Sequence, residues 1–380
     1  MKTYKNLWNE IISDENIALA IKESCKHKKK NKRKQQQLEK LKNNPKRTEK
    51  VRKWIETYET RKCKPKEIYD GISRKKRYIY VPTVRETVVQ HALVQVLNKY
   101  LAKGMYEHTY AAINGRGAHE AKKQICKWIK RYPKKVKYFL KMDIKQYFPS
   151  VSQDILFEMV SRQVKDEKVV SLFMKITGAC DRGTPLGYYI SQWTANYYLM
   201  HLDHFIKDNF DCFYIRWMDD MVVFCSNKKK LHKIKDSIAD YLSCNLALKL
   251  KENWKIARFC HHENKNEKKC KGEFLDYMGF RFYRNRVTLR ESIFYRATRK
   301  AKKIGNKDKP TMHDLRQFMS YFGWIKHTDT YSAYLKYIKP HVNIQNIKRR
   351  TSRHDKNKIR KEKSNDGISN ARRNTARKTA

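Results

Sequence analysis

The sequence predicts an α+β fold, and two kinds of pattern carry that expectation. Short apolar, β-prone runs read as strands: Tyr138-Phe139-Leu140 onward to Ile144, Phe213-Tyr214-Ile215, and Met221-Val222-Val223-Phe224. Longer stretches between them place apolar residues at helical spacing, most clearly Val89, Leu93, Val96, Leu97 and Tyr100. At 380 residues the chain has room for a full core and two or three subdomains.

The charge balance is extreme. There are 87 Lys plus Arg against 38 Asp plus Glu, a formal net charge of +49, which calls for a polyanion partner. Because the positive charge is spread along the chain and interleaved with aromatic residues, nucleic acid is the expected partner and a membrane is not. Charge alone does not separate an enzyme from a passive binder. No stretch approaches the ~20 apolar residues of a membrane span, and MKTYKNLWNEII lacks a signal peptide's apolar core. Nine cysteines at irregular spacing fit a reduced, cytoplasmic setting. Cys260, His261, His262 and Cys270 lack a paired CxxC, so no structural zinc is expected.

Taken in order, residues 1–25 read as one helix, and Lys26 to Lys53 as a solvated helix or a mobile basic arm. Short strands follow to Pro82, preceded by the basic turn Ser73-Arg74-Lys75-Lys76-Arg77. Thr83 to Tyr100 reads as an amphipathic helix with one apolar face, and Ala118 to Lys130 as another. After the Asp143 strand, Ser152 is positioned to cap a helix to Val164, and a further helix covers Val169 to Ile176. Gly183-Thr184-Pro185 opens a turn, after which a helix from Ser191 buries Trp193, Ala195, Tyr198, Leu199 and Leu202.

The chemistry is expected at Phe213 to Ser226. Asp219 and Asp220 stand between two apolar runs, as at the tip of a core hairpin. Two carboxylates held together repel unless a cation neutralises them. Asp143, at the end of a central strand, supplies a third acid, costly to bury unless paired or metal-bound. Three such aspartates suit a site for two divalent ions that aligns an attacking hydroxyl with a nucleoside triphosphate.

Four ordered motifs, KMDIKQYFPS, GTPLGYYISQWTAN, RWMDDMVVF and EFLDYMGFRF, resemble those of bacterial and retroelement reverse transcriptases. The resemblance runs from about Asn6 to Lys339. It implies a right-hand polymerase fold with fingers, an antiparallel palm sheet and a helical thumb. The fingers would take 1–135 with a basic N-terminal arm, the palm 136–291 with a finger insertion at about 151–181, and the thumb 292–345. A basic tail, 346–380, is expected to be disordered.

By the same resemblance, Asp143, Asp219 and Asp220 are the catalytic acids and, with the backbone of Ile144, the ligands of two Mg²⁺ ions, for which Mn²⁺ could substitute. Lys75 and Arg77 would hold the triphosphate, Phe148 would act as the gate against a ribose 2′-hydroxyl, and Gln192 would line the nucleotide pocket. Trp217, where the family has tyrosine, would stand near the primer terminus, and Met278-Gly279 would form the primer grip. Either Lys251 or Lys255 could protonate the leaving pyrophosphate. Thumb cations Arg299, Lys300, Lys302 and Lys303 would track a duplex. RNA template, DNA or RNA primer and deoxynucleotides are the implied partners.

Leu186-Gly187-Tyr188-Tyr189-Ile190-Ser191-Gln192 is similar to the corresponding stretch of diversity-generating retroelement reverse transcriptases. That narrower resemblance implies error-prone copying of a template-repeat RNA, together with a small basic accessory protein. A reverse transcriptase of antiphage defence and a passive RNA-binding protein are the alternatives.

Overall fold

A computed structural model describes residues 2–26, 31–62, 64–69, 76–259 and 272–357. The chain divides into two compact units, Met1–Arg258 and Phe259–Ala380. Lys75, the cysteine and histidine cluster at 260–262 and 270, and the tail beyond residue 357 lie outside the described residues.

In the first unit, the expected single N-terminal helix is two, α1 (Leu7–Ile11) and α2 (Asp14–Cys25), because Ser13 breaks out of the helix and its side chain caps Asn16 N–H. The basic stretch is not a solvated arm. It forms α3 (Lys32–Lys42) and α4 (Arg47–Glu56), which bury Leu38, Leu41, Val51 and Ile55. Four apolar residues spaced one helical turn apart are enough to dock two otherwise cationic helices.

A hairpin of β1 (Lys66–Tyr69) and β2 (Lys76–Ile79) leads to α5 (Val84–Leu101), opened by a capping box between Thr83 and Glu86. The expected amphipathic helix is instead buried nearly all round. Val88, Ala92 and Val94 are as covered as Val89, Leu93 and Val96, because α2 and α10 (Tyr189–Tyr198) both pack against it. His91 is half-buried, its ring stacked on Tyr189 at 4.1 Å.

Then come α6 (Ala118–Arg131), β3 (Tyr138–Asp143), the short α7 (Tyr147–Ser150), α8 (Gln153–Gln163, capped by Ser152) and α9 (Glu167–Thr177). Following α10 are α11 (Met200–Asn209), β4 (Phe213–Trp217), β5 (Asp220–Cys225), α12 (Lys228–Leu246) and β6 (Lys255–Arg258). The four strands form an antiparallel sheet in the order β4-β5-β3-β6. One apolar core joins this sheet to the helices, so its inner strands β3 and β5 are rigid supports for whatever stands at their ends.

The second unit holds a three-stranded antiparallel sheet, β7 (Leu275–Tyr277), β8 (Phe280–Phe282) and β9 (Val287–Leu289), and the helices α13 (Glu291–Gly305), α14 (Met312–Lys326) and α15 (Tyr331–Tyr337). Residues 344–357 are helical and bury Ile347, so the stretch from Asn346 to Lys356 is ordered rather than part of a disordered tail. Lys300 is not a free cation: it is 13% exposed and donates to Asp314 at 2.6 Å, beside Lys307 at 2.7 Å. Arg299, Lys302 and Lys303 are exposed. No described helix is long and apolar enough to cross a membrane.

Candidate active site

Register places the acids. β4 and β5 pair up to Trp217 opposite Asp220, leaving Met218 and Asp219 as a two-residue turn. Met218 has φ 57°, the left-handed conformation that tight hairpins need and that an L residue adopts at a cost. Fully buried Tyr214, Ile215, Met221, Val222 and Val223 wall the hairpin and hold that turn in place. β3 runs antiparallel to β5 with Asp143 opposite Asp220. Only Asp219 is at the tip. Asp220 is the first residue of its strand, not a second tip residue as the adjacent pair suggests, and it faces Asp143 across the ladder.

The acids are incompletely neutralised. Lys251 Nζ donates to Asp143 Oδ2, and the Lys251 N–H donates to the Asp143 carbonyl at 2.8 Å, next to the bridge between Ile144 and Leu250. Asp143 Oδ1 is buried and receives no hydrogen bond. Burial, and then the charge of Asp143 beside it, pushes the Asp219 carboxyl up to about 6, against the pull of Lys251. A raised carboxyl beside another acid marks a site short of positive charge.

Asp220 Oδ2 stands 3.8 Å from Lys141 Nζ. Among the described residues no three His, Cys, Asp or Glu form a ready-made metal cluster. Asp143 and Asp219 form the pair, the charge of Asp143 raising the Asp219 carboxyl. Its donor set, hard oxygens including one buried and undonated, fits a divalent cation such as Mg²⁺. Lys255 lies on β6 opposite Lys141.

Behind the hairpin lies a network that the sequence did not announce. Arg216 is fully buried and donates to Asp203 through Nε (2.7 Å) and Nη2 (2.5 Å). It also donates to Asn196 Oδ1 (3.2 Å) and, through Nη1, to the Met218 carbonyl at 3.0 Å. Tyr214 Oη and Thr109 Oγ1 donate to Asp203 as well, at 2.8 and 3.3 Å, and Asn196 donates to the Ala111 carbonyl at 2.7 Å. Burial disfavours the guanidinium charge, but Asp203 outweighs it and raises the pKa of Arg216. Arg216 therefore clamps the turn residue that precedes Asp219. The available signal was polar Asn196 and Asp203 at i, i+7 within a helical stretch whose same face carries core residues.

Residues 63–282 match the family model described as reverse transcriptase (RNA-dependent DNA polymerase), more than half of the chain. The chain belongs to the reverse transcriptase family. It is 27% identical over 144 residues to the group II intron-encoded protein LtrA of Lactococcus lactis subsp. cremoris, covering 35% of this chain and 23% of that protein. It is 29% identical over 157 residues to an uncharacterized 91 kDa protein in the cob intron of Schizosaccharomyces pombe, covering 37% and 18%. The chain thus spans about a fifth of the length of these relatives. A solved telomerase of Candida tropicalis, in complex with a TWJ fragment of telomeric RNA, aligns with TM-score 0.48 at 14% identity, covering 84% of this chain and 60% of that one. With family membership, the mixed helix and antiparallel-sheet architecture is that of a polymerase.

Backbone packing joins the GTPLGYYISQWTAN stretch to Phe148-Pro149, just beyond the Asp143 strand, and to Tyr80. Phe148, five residues beyond Asp143, is half-buried against the core, and its carbonyl accepts from Thr184 N–H at 2.9 Å. Gly183 has φ 74°, and a Cβ there would lie 2.1 Å from the Phe148 carbonyl oxygen, so the GTP turn needs glycine to lie against Phe148-Pro149. Gly187, at φ 107°, similarly lies against the Tyr80 carbonyl, while Tyr80 N–H donates to Leu186 O at 2.7 Å. The helix expected from Ser191 starts two residues earlier, because Gln90 Oε1 accepts from Tyr189 N–H at 2.7 Å and caps α10. Gln192 is exposed in its first turns, and Trp217 is half-buried at the hairpin's end.

Arg77 lies on exposed β2 opposite Ile68. In the second unit, Met278 (φ 52°) and Gly279 (φ 88°) form the two-residue turn between β7 and β8. A Cβ at Gly279 would come within 2.9 Å of Ile293. Asp276 accepts from Arg290 Nε at 2.7 Å.

Proposed function

We propose that the chain is an RNA-directed DNA polymerase that copies an RNA template into cDNA by nucleotidyl transfer at Asp143, Asp219 and Asp220. The observation that carries this reading is the convergence of a strand end and a hairpin tip on a half-buried, under-neutralised carboxylate pair. Asp143 and Asp219, with Asp220 and the Ile144 backbone beside them, would hold two Mg²⁺ ions. Bound there, the ions would activate the primer hydroxyl and stabilise charge on the phosphates.

The protein's own residues do the positioning. Asp143 and Asp219 bind, and Arg216 fixes the turn from behind. Lys251 neutralises Asp143 until a cation does, and once released it is the acid nearest the site for the departing pyrophosphate. Phe148 and Gln192 bound the nucleotide, with Lys75 and Arg77 over its triphosphate. Trp217 and the Met278-Gly279 turn serve the primer. In this reading 1–135 are fingers, 136–291 palm with 151–181 as a finger insertion, 292–345 thumb and 346–380 a basic extension.

Leu186 to Gln192 supports the narrower reading of a diversity-generating retroelement enzyme. It would make errors opposite template adenines and work with a small basic accessory protein. Primer extension on RNA with Mg²⁺ and the four deoxynucleotides, followed by product sequencing, tests both levels. Product that Asp219→Asn abolishes supports the polymerase. Synthesis retained by a folded Asp219→Asn variant would falsify it. Accurate copying of adenines would remove the narrower reading alone.

A further inference from the structure

A second concave site stands apart from the carboxylates, at the N-terminal helices. α3 buries Leu38 and Leu41 and turns an adjacent stripe outward, Arg33, Gln37 and Lys40 at i, i+4 and i+7, which the half-buried Asn44 continues just past the helix end. With α4 and the start of α5, this stripe lines a cleft of about 700 Å³, within the ~300–1,000 Å³ range of ligand sites. Asp143, Asp219 and Asp220 do not line it, and among the described residues neither does any other carboxylate.

The lining combines three kinds of group. Cations come first. Arg33 and Lys40 are exposed and bound to no acid among the described residues. Arg61 is oriented by Glu86, at 2.9 Å from both Nε and Nη2. Arg85 is held through Nη2 by the Thr57 carbonyl at 2.5 Å, while its Nε is buried and makes no hydrogen bond. Amides are the second kind, Gln37 and Asn44 on the stripe itself. The third is an aromatic face, the half-buried ring of Trp54, with Lys50 Nζ 5.6 Å from its centroid.

A simple anion would need only the cations, and an apolar ligand only the ring. A strand of phosphates carrying unpaired bases uses all three, because cations meet the backbone, the ring stacks a base, and the amides meet base edges. We propose that this cleft binds single-stranded nucleic acid at a place separate from the polymerase carboxylates. Arg33 and Lys40 meet successive phosphates and Trp54 stacks a base. The inference rests on the polymerase reading only in taking nucleic acid as the partner.

The test uses the full chain with oligouridylate and its deoxyuridylate counterpart, each carrying a photoreactive base, and maps cross-links alongside binding against salt. Cross-links to the peptides bearing Trp54 and Lys40 are expected. Removing one cation that neutralises a phosphate of a single strand lowers the slope of log K against log salt by about 0.7, so Arg33→Glu with Lys40→Glu should lower it by about 1.4. Lys228→Glu with Lys229→Glu, equal in charge but at the start of α12, should lower it by less than half as much.

Cross-linking of both oligomers would identify a site blind to the sugar, and RNA alone a site that reads the 2′-hydroxyl. Cross-links of neither oligomer at Trp54 or Lys40, or equal slopes for the two double variants, would overturn the proposal. Lys40→Glu alone covers the case in which Trp54 substitutions unfold the chain, with an expected slope change of about 0.7. Asp219→Asn should keep the cross-links while losing synthesis, so the two readings fail separately.

Discussion

The two sides of the Asp219 hairpin treat charge in opposite ways. Behind it, Arg216, Asp203, Asn196, Tyr214 and Thr109 form a buried network in which Arg216 and Asp203 answer each other and the carbonyl of Met218 is held. In front, Asp143, Asp219 and Asp220 share Lys251 and Lys141, and the buried Oδ1 of Asp143 has no donor. The fold completes its hydrogen bonding where it fixes the turn and leaves it incomplete on the side of the proposed active site. A satisfied network confers rigidity. An unsatisfied one stores free energy that a ligand can release.

If that contrast holds, replacing a front acid and replacing a rear one should have opposite signatures. Asp219→Asn removes a like charge from beside Asp143. We expect incorporation to fall by more than about 10²-fold, while the denaturation midpoint stays level or rises, the usual trade between stability and an active site. A fall in midpoint would show that the front is also structural. Breaking the rear by Asp203→Asn leaves Arg216 buried without its counter-charge. The expected loss is about 3–5 kcal/mol in urea unfolding, and activity should fall with it. Arg216→Met with Asp203→Leu should recover much of that stability, and without the clamp on Met218 it should not recover activity.

The front was legible in the sequence and the rear was not, for physical reasons. Runs such as Met221 to Phe224 flanking two aspartates are a local pattern, a short continuous apolar stretch that reads as a strand buried on both faces. Even so, the position of Asp220 within its strand depended on the pairing of Trp217 with Asp220, which only the register of the ladder settles. Arg216 looks like a solvated cation in a chain with 87 basic residues. Its partner is on α11 and its second contact on α10. Likewise, the core positions of α3 and α4 were diluted among Lys, Arg and Gln, so helices that dock through four apolar residues read as an arm.

A third substitution sharpens the contrast at the edge of the site. Gly183→Ala would place a methyl group against the Phe148 carbonyl at a backbone with positive φ. Strain of about 1–3 kcal/mol is expected, and Phe148 should shift. The readout that separates this from general destabilisation is sugar discrimination. Incorporation of ribonucleotides relative to deoxynucleotides should change in Gly183→Ala and stay fixed in Gly117→Ala, where nothing lies within 4 Å of the added Cβ.

The smallest effect expected is one of pH. Glu86 is a buried acid outside the candidate site that is fully answered: Arg61, Thr83 N–H at 2.6 Å and Tyr188 Oη at 2.9 Å all donate to it. Burial raises its pKa, but those bonds together outweigh burial and hold it below the ordinary glutamate value. A group depressed in the folded state contributes stability that is present above its unfolded pKa, about 4.3, and is lost as pH falls through the folded value. The chain should therefore lose stability on acidification through that window, and Glu86→Gln should flatten this part of the profile. Asp219 is raised instead, so the chain binds a proton there more readily when folded than when unfolded. It should flatten the opposite way, its penalty growing as pH rises through about 6. Unfolding midpoints of the two variants against pH, measured without divalent ions, give these two slopes with opposite signs if the front is strained and the rest of the fold is not. Slopes of the same sign would mean that Asp219 finds its counter-charge within the protein, and the contrast between the two sides of the hairpin would fail.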